Sequence, residues 1–511
     1  MRNKWFRAIF RQRVLVILLI LLQVLLLVHL IADSGRASRI FSNVMTAISL
    51  IAALSIVAKK NKGAYKLTWV FLILLFPLFG GAFYLIFSFQ NSTRRFSERI
   101  ESAENKAHLL LAKPGDAYSL AEEEIPDKIA QVRYLQQFAG FPIYANTETR
   151  YFSPGEELLP VLLEELEKAE KYIFLEYFIV QEGQMWNSIL EVLKRKAAQG
   201  VVVRLIYDDM GCFLILPKDY AKTLESYGIE CTVFNPFRPV MTVKQNNRDH
   251  RKIAVIDGKV AFTGGINLAD EYINAYEKHG HWKDSAVMLR GKGAWSFTLI
   301  FLQMWMLCKG CDEDFDRYYP WNDAPPELPC TGFVQPYADS PTDTDNVGEH
   351  VYLQIINSAR DYVYITTPYL IVDDSMLSAL SLAAKSGVDV RIITPKIWDK
   401  KLVHVTTRSY YRELTRAGVR IYEYTKGFMH SKTFVSDDTT ATVGTTNLDF
   451  RSLYLHFECG VRMYGTNAVT QIKDDFLRTL NSCQLITDED CECSLIMKLV
   501  QDILRLFAPL M

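Results

Sequence analysis

The sequence predicts an α/β protein of two related halves set behind a membrane-inserted N-terminal segment. Three observations carry this: apolar runs crowd the first ninety residues, short phrases return about 190 residues apart, and a polar motif occurs once per half at fixed internal spacing. At 511 residues the chain has room for roughly three domain-sized pieces. Its 57 Lys and Arg against 58 Asp and Glu leave a formal charge of −1. That balance argues against a dedicated nucleic-acid binder, which shows a basic excess or stripe. A hydrophobic content of 49 % excludes wholesale disorder. Nine cysteines, an odd count, do not make a disulfide framework. Cys308 and Cys311 could open a zinc ribbon, but no second pair follows at ribbon spacing, so ordinary thiols are expected.

Residues 1–90 are expected to form a transmembrane anchor of two to three segments. Arg2, Lys4, Arg7, Arg11 and Arg13 precede the first run, residues 14–31, which only Gln23 and His29 interrupt. At 1.5 Å per residue such a helix covers most of a ~30 Å hydrocarbon core. It is long for a signal peptide, and no small-residue cleavage site follows. Residues 40–58 form a second, weaker run diluted by serines, and residues 67–89 a third with Pro77, Gly80 and Gly81 near its middle. The positive charges before the first run and Lys59, Lys60, Lys62 and Lys66 after the second place both ends in the cytoplasm. The rest of the chain then lies outside if the third run crosses, and inside if its broken middle turns back or one run does not span. The sequence leaves both sides open.

A charged connector, residues 91–140, leads to the first half, 141–318. Residues 171–179 read as a strand, 186–198 as a helix and 200–206 as the next strand. The phrase at Ala169 (AEKYIF) returns at Ala359 (ARDYVY), and that at Gly200 (GVVVRLI) returns at Gly387 (GVDVRII). A Pro/Asp-rich stretch, 319–349, separates the copies and reads as a linker, since no single element holds so many prolines. The second half is then 350–511. Its last segment, 495–506, is amphipathic and is expected to pack on the core.

The chemistry sits in the duplicated motif. His250-Arg251-Lys252 is followed by Asp257 and by Gly264-Gly265-Ile266-Asn267. His430-Ser431-Lys432 is followed at identical spacing by Asp437 and by Gly444-Thr445-Thr446-Asn447. For residue types near 5 % of a chain, a three-residue match has a chance of about one in ten thousand per position. In a strand, residues two apart share a face, so each histidine and its lysine point the same way. Asp257-Gly258 and Asp437-Asp438 read as hairpin turns that bring Asn267 back toward His250 and Asn447 toward His430. Facing the halves across a pseudo-twofold axis gives two imidazoles, two ammonium groups and two carboxamides.

That set suits a phosphodiester. One neutral imidazole attacks phosphorus while a second, protonated one delivers a proton to the leaving alkoxide. The lysines and amides surround the non-bridging oxygens where charge develops. No metal or other cofactor is required, because the lysines supply the positive charge. Asp257 and Asp437 complete the motif and are carried with His250, Lys252, His430 and Lys432 as catalytic candidates. Their turn positions nonetheless favour backbone capping over chemistry.

The duplicated pattern resembles the phospholipase D superfamily. Within it, Trp282-Lys283-Asp284, the stretch Ile365 to Tyr369 and the stretch Asn447 to Ser452 with Glu458 resemble bacterial cardiolipin synthases, as does the membrane stretch around Pro77 and Gly80-Gly81. The resemblance implies two phospholipase D-like α/β halves, a multi-pass protein of the bacterial cell membrane, and phosphatidylglycerol and membrane lipids as partners. It implies transfer of a phosphatidyl group from one phosphatidylglycerol to another, releasing glycerol. His250 would form the covalent phosphohistidine and His430 would serve as acid, then base. Lys252, Lys432, Asn267 and Asn447 would hold the phosphate, and Asp284 and Glu458 would orient the histidines. Gly265 stands where Ser is common, so no side-chain role is assigned there. A hydrolase of the same superfamily, using water as acceptor, is the alternative enzyme, and a non-catalytic lipid-binding scaffold the third reading. The first half also carries about ten extra residues near 235–245, of no assigned role.

Overall fold

The computed structural model describes residues 35–59, 62–76 and 117–510, apart from 237–242, 322–326 and 344, with short stretches between 80 and 106. The first apolar run, most of the third beyond Phe76 and the tip of the extra loop lie outside the described residues.

Helix α1 (Arg36–Ala58) and helix α2 (Gly63–Leu75) belong to one compact unit, together with the chain end from Arg505. Residues 39–58 are long and apolar enough to cross a membrane. Among the described residues this is the one helix of that length; of the two to three segments expected, the first and most of the third lie outside them. Helix α2 has only 13 residues. Ala52 and Ile56 of α1 pack on Trp69 and Ile73 of α2 and on Tyr84. Gly81 permits this closeness, because a Cβ there would come within 2.8 Å of the Ser49 Cα.

Residues 97–236 and 247–504 form a second unit that holds both halves. The strands of the first half are β1 (Thr147–Phe152), β2 (Tyr172–Tyr177), β3 (Val202–Asp208), β4 (Glu230–Phe234), β5 (Lys252–Ile256), β6 (Val260–Gly264), β7 (His281–Lys283) and β8 (Ala286–Gly291). Those of the second half are β9 (Phe333–Asp339), β10 (Tyr362–Thr366), β11 (Asp389–Pro395), β12 (Arg420–Tyr424), β13 (Gly427–Met429), β14 (Thr433–Ser436), β15 (Thr440–Gly444), β16 (Glu458–Tyr464) and β17 (Cys483–Leu485). The first sheet runs β1-β8-β6-β5-β2-β3-β4, and the second runs β9-β16-β15-β14-β10-β11-β12-β17. Position by position the two orders match, with β17 as one added edge strand. The sequence repeat is thus a repeat of topology: a duplicated α/β fold related by a pseudo-twofold.

Both sheets bury their central strands completely, and their alternating faces are filled by Val, Ile, Phe and Tyr. Helix α3 (Ala294–Lys309), apolar all round, is buried along nearly its whole length and touches both sheets. The 319–349 stretch is not a linker throughout. Residues 333–339 form edge strand β9, which pairs with β16. Pro336 is accommodated because an edge strand can spare a ladder donor. All nine cysteines are unpaired. Helix α4 (Leu495–Leu506), expected on the core, buries none of its residues.

Candidate active site

Each histidine stands just before the first strand of its motif hairpin. Strand β5 runs antiparallel to β2 and β14 antiparallel to β10, which sets Lys252 opposite Tyr177 and Thr433 opposite Thr366. The decisive contacts run between the halves. Strand β13 pairs in parallel with β7 of the first half, and Asp249 bridges Phe457 of the second in the equivalent way. The His430 N–H donates to the Lys283 carbonyl at 2.7 Å, and the His250 N–H to the Phe457 carbonyl at 2.9 Å.

This pairing delivers each orienting carboxylate to the histidine of the other half. His430 Nδ1 lies 2.6 Å from Asp284 Oδ2, and His250 Nδ1 lies 2.9 Å from Glu458 Oε1. Both carboxylates are fully buried. A buried carboxylate on Nδ1 holds the proton there and leaves Nε2 with a free lone pair. Aromatic rings fix the rest of each imidazole: Phe178 meets His250 edge-on with centroids 5.1 Å apart, while Trp282 and Tyr272 flank His430 at 5.2 and 5.5 Å.

The two carboxylates are held differently. Thr445 donates its hydroxyl to Glu458 Oε2. At the matching position of the first half, a Cβ on Gly265 would overlap the Asp284 carboxylate. Asp284 Oδ1 instead accepts the Ser285 N–H at 2.8 Å. The shorter acid therefore pairs with the glycine, and the longer acid with the threonine.

Lys252 and Lys432 are buried, and each donates to the carbonyl of its own histidine. Lys432 Nζ also lies 2.9 Å from His430 Nδ1. Burial, then the charge of the lysines, pushes the His250 imidazole well below its usual range. The same causes push His430 down to about 4, against the opposing pull of Asp284. Burial also lowers Lys252 to about 8 and Lys432 to about 7, and raises Glu458 to about 7. The site is a packed cluster of cations and acids that an added anion would relieve.

The remaining motif residues fall into two groups. Asn267 Oδ1 accepts the Ile179 N–H at 3.0 Å and its Nδ2 donates to the Tyr272 hydroxyl at 2.7 Å, leaving one amide proton. Asn447 has a buried Oδ1 with no hydrogen-bond partner. Asp257 and Asp437 leave the catalytic set. They sit at the far ends of β5 and β14, with φ of 50° and 53°. Asp257 accepts the N–H groups of Glu170, Lys171 and Tyr172, and Asp437 those of Arg360, Asp361 and Tyr362. Those six donors belong to the very phrase that repeats in the sequence.

Sequence reasoning missed His456. Its ring lies 5.6 Å from that of His250, with Nδ1 3.8 Å from Glu458, and neither ring nitrogen has a hydrogen-bond partner. The only signal was its place two residues before Glu458. His250, His456 and Glu458 bring three donor atoms within 4.8 Å of one another, the grouping among the described residues that could hold a cation. The Lys252 ammonium, whose charge helps to push both rings down, already places positive charge beside them, which opposes one.

A family profile described as "Cardiolipin synthase, PLD-like domain" matches residues 162–287 and 352–480, and one described as "Phospholipase_D-nuclease N-terminal" matches residues 47–88. A cardiolipin synthase of Geobacillus sp. (strain WCH70) is 36 % identical over 478 residues, covering 92 % of this chain and 93 % of that one. Cardiolipin synthase 2 of Bacillus anthracis is 36 % identical over 447 residues, covering 87 % and 86 %. An uncharacterized protein of Streptococcus mutans is 46 % identical over 458 residues, covering 87 % and 96 %. Among solved structures, the phosphatidylserine synthase of Haemophilus influenzae Rd KW20 aligns with a TM-score of 0.57 at 15 % identity, covering 74 % of this chain and 97 % of that one, a likeness of fold.

Fold and site together define an enzyme of the phospholipase D class, which transfers or hydrolyses the phosphatidyl groups of phospholipids. Within that class, the chain belongs to the cardiolipin synthase family.

Proposed function

We propose that this enzyme makes cardiolipin and glycerol from two molecules of phosphatidylglycerol, at a bacterial cell membrane, through a phosphohistidine on His250. The crosswise pairing of His250 with Glu458 and His430 with Asp284 carries the reading, because it leaves two Nε2 atoms to act on one phosphorus. His250 Nε2 attacks the phosphorus of the first lipid. The P–O bond to glycerol breaks, and the alkoxide takes the proton of His430 Nε2. Free glycerol leaves. His430 then accepts the proton of a glycerol hydroxyl on the second lipid, that oxygen bonds phosphorus, and the P–N bond to His250 breaks.

The protonation state of His250 supports its role. With both imidazoles pushed down, His250 is neutral at pH 7, as a nucleophile must be. His430 must carry a proton to act as acid. The bound phosphodiester supplies negative charge beside Lys252 and Lys432, which raises all three cationic groups. Lys252, Lys432, the spare amide proton of Asn267 and the carboxamide of Asn447 hold the non-bridging oxygens.

Protein in detergent, given labelled phosphatidylglycerol alone, is expected to yield cardiolipin and glycerol in equal amounts, and His250→Ala to lose both. Phosphatidic acid with glycerol and no cardiolipin would make water the acceptor. Bound lipid with no product would overturn both enzyme readings.

A further inference from the structure

The C-terminal helix α4 presents an aliphatic stripe that nothing in its own unit covers. At about 100° per residue, Leu495, Ile496, Leu499 and Ile503 fall within an arc of about 100°, less than a third of the helix circumference. They are 87, 78, 60 and 47 % exposed. Met497 and Gln501, on another side, face Val405, Arg408 and Tyr411. Lys498, Asp502 and Arg505 form a polar edge beside the stripe. The helix therefore has a protein side, a charged edge and an outward apolar face. Four adjacent large aliphatic side chains in water are not the scattered exposure normal for a soluble surface.

The far end of the helix says what covers that face. Residues 505–511 belong to the same compact unit as α1 and α2. Thr68 of α2 donates its hydroxyl to the Leu506 carbonyl at 2.8 Å, and Phe71 meets Phe507 with ring centroids 6.0 Å apart. Helix α2 exposes Leu67, Leu74 and Leu75. The chain that carries the stripe thus continues into residues that pack on the apolar helices which the sequence and the length of α1 assign to the membrane. An amphipathic helix with cations along its polar edge is the form that lies in a bilayer interface, and Lys498 and Arg505 can extend their stems toward headgroups.

We propose that α4 lies in the membrane–water interface, with Leu495, Ile496, Leu499 and Ile503 among the acyl chains. The test places the photo-crosslinker p-benzoylphenylalanine at position 499, 503 or 502 of the full chain, in vesicles of phosphatidylglycerol and phosphatidylethanolamine. Retained lipid turnover reports that each labelled protein is folded. Irradiation is expected to give phospholipid adducts from positions 499 and 503 and to lose them at 502. Adducts from 499 to a second copy, adducts to another segment of the same chain, or an absence of lipid adducts would each overturn the proposal.

Discussion

Gly265 and Thr445 occupy the same place in the two motifs and act in opposite ways on the carboxylate beside them. Thr445 binds Glu458, whereas the missing side chain of Gly265 is the space that Asp284 fills. Gly265→Ala is therefore expected to push Asp284 off His430, with a loss in kcat of roughly 10- to 100-fold, the usual scale for a group acting through another. Thr445→Val should act similarly on His250 through Glu458. Measuring kcat and KM for both variants checks this, and an unchanged kcat in Gly265→Ala would contradict the assigned packing. The lysines set the alkaline limb of the pH profile. Their values are depressed, so the charged forms prevail below about 7 for Lys432 and about 8 for Lys252 and are lost above. The phosphate-binding form thus disappears as pH rises, and kcat/KM is expected to fall through this window. Since a bound phosphodiester raises both lysines, binding of a phosphodiester analogue at pH 8 should take up protons. Calorimetry in buffers of different ionisation enthalpy reads that uptake directly.

At the scale of the element, the motif hairpin serves two ends. The imidazole and the ammonium stand where it begins, and Asp257 or Asp437 stands at its turn. There the aspartate gathers three N–H groups of the segment leading into β2 or β10. Charged hydrogen bonds of this kind contribute about 1.5–3 kcal/mol each at best and do not simply add. Asp257 is buried, whereas the segment that Asp437 holds is partly exposed. Asp257→Ala is expected to cost about 2–4 kcal/mol and Asp437→Ala less, by denaturant unfolding. The folded fraction of each should turn over near the normal rate. A collapse of kcat without loss of stability would return these aspartates to the chemistry. Turn position was legible from the Asp-Gly and Asp-Asp pairs alone. The three partners were not, because they lie more than seventy residues away in sequence.

In the whole molecule, the two halves complete each other's histidines. Asp284 of the first half serves His430 of the second, and Glu458 of the second serves His250 of the first. On the proposed mechanism this wiring separates the two half-reactions. With a phosphatidyl substrate bearing p-nitrophenol, whose leaving oxygen needs no proton, Asp284→Asn should still show a burst of about one nitrophenolate per site and then stall. Glu458→Gln should show no burst. The reverse pattern would make His430 the nucleophile.

Periodicity and repetition were enough to read the duplicated α/β architecture and an apolar helix near the N-terminus, and to single out the histidines, lysines and asparagines as candidates. Each of those signals is local: a residue type at a spacing that a strand or turn converts directly into geometry. The edge strand hidden in the proline-rich stretch was not local, since β9 exists only because β16 offers it a partner. Neither was His456, which meets His250 across the halves, nor the outward face of α4, whose amphipathic pattern favoured packing on the core. Above all, the family resemblance pointed to Asp284 and Glu458 without saying which histidine each would hold. Only the pairing of β13 with β7, and of Asp249 with Phe457, crosses them, because a contact between two halves depends on their docking and not on the spacing within either.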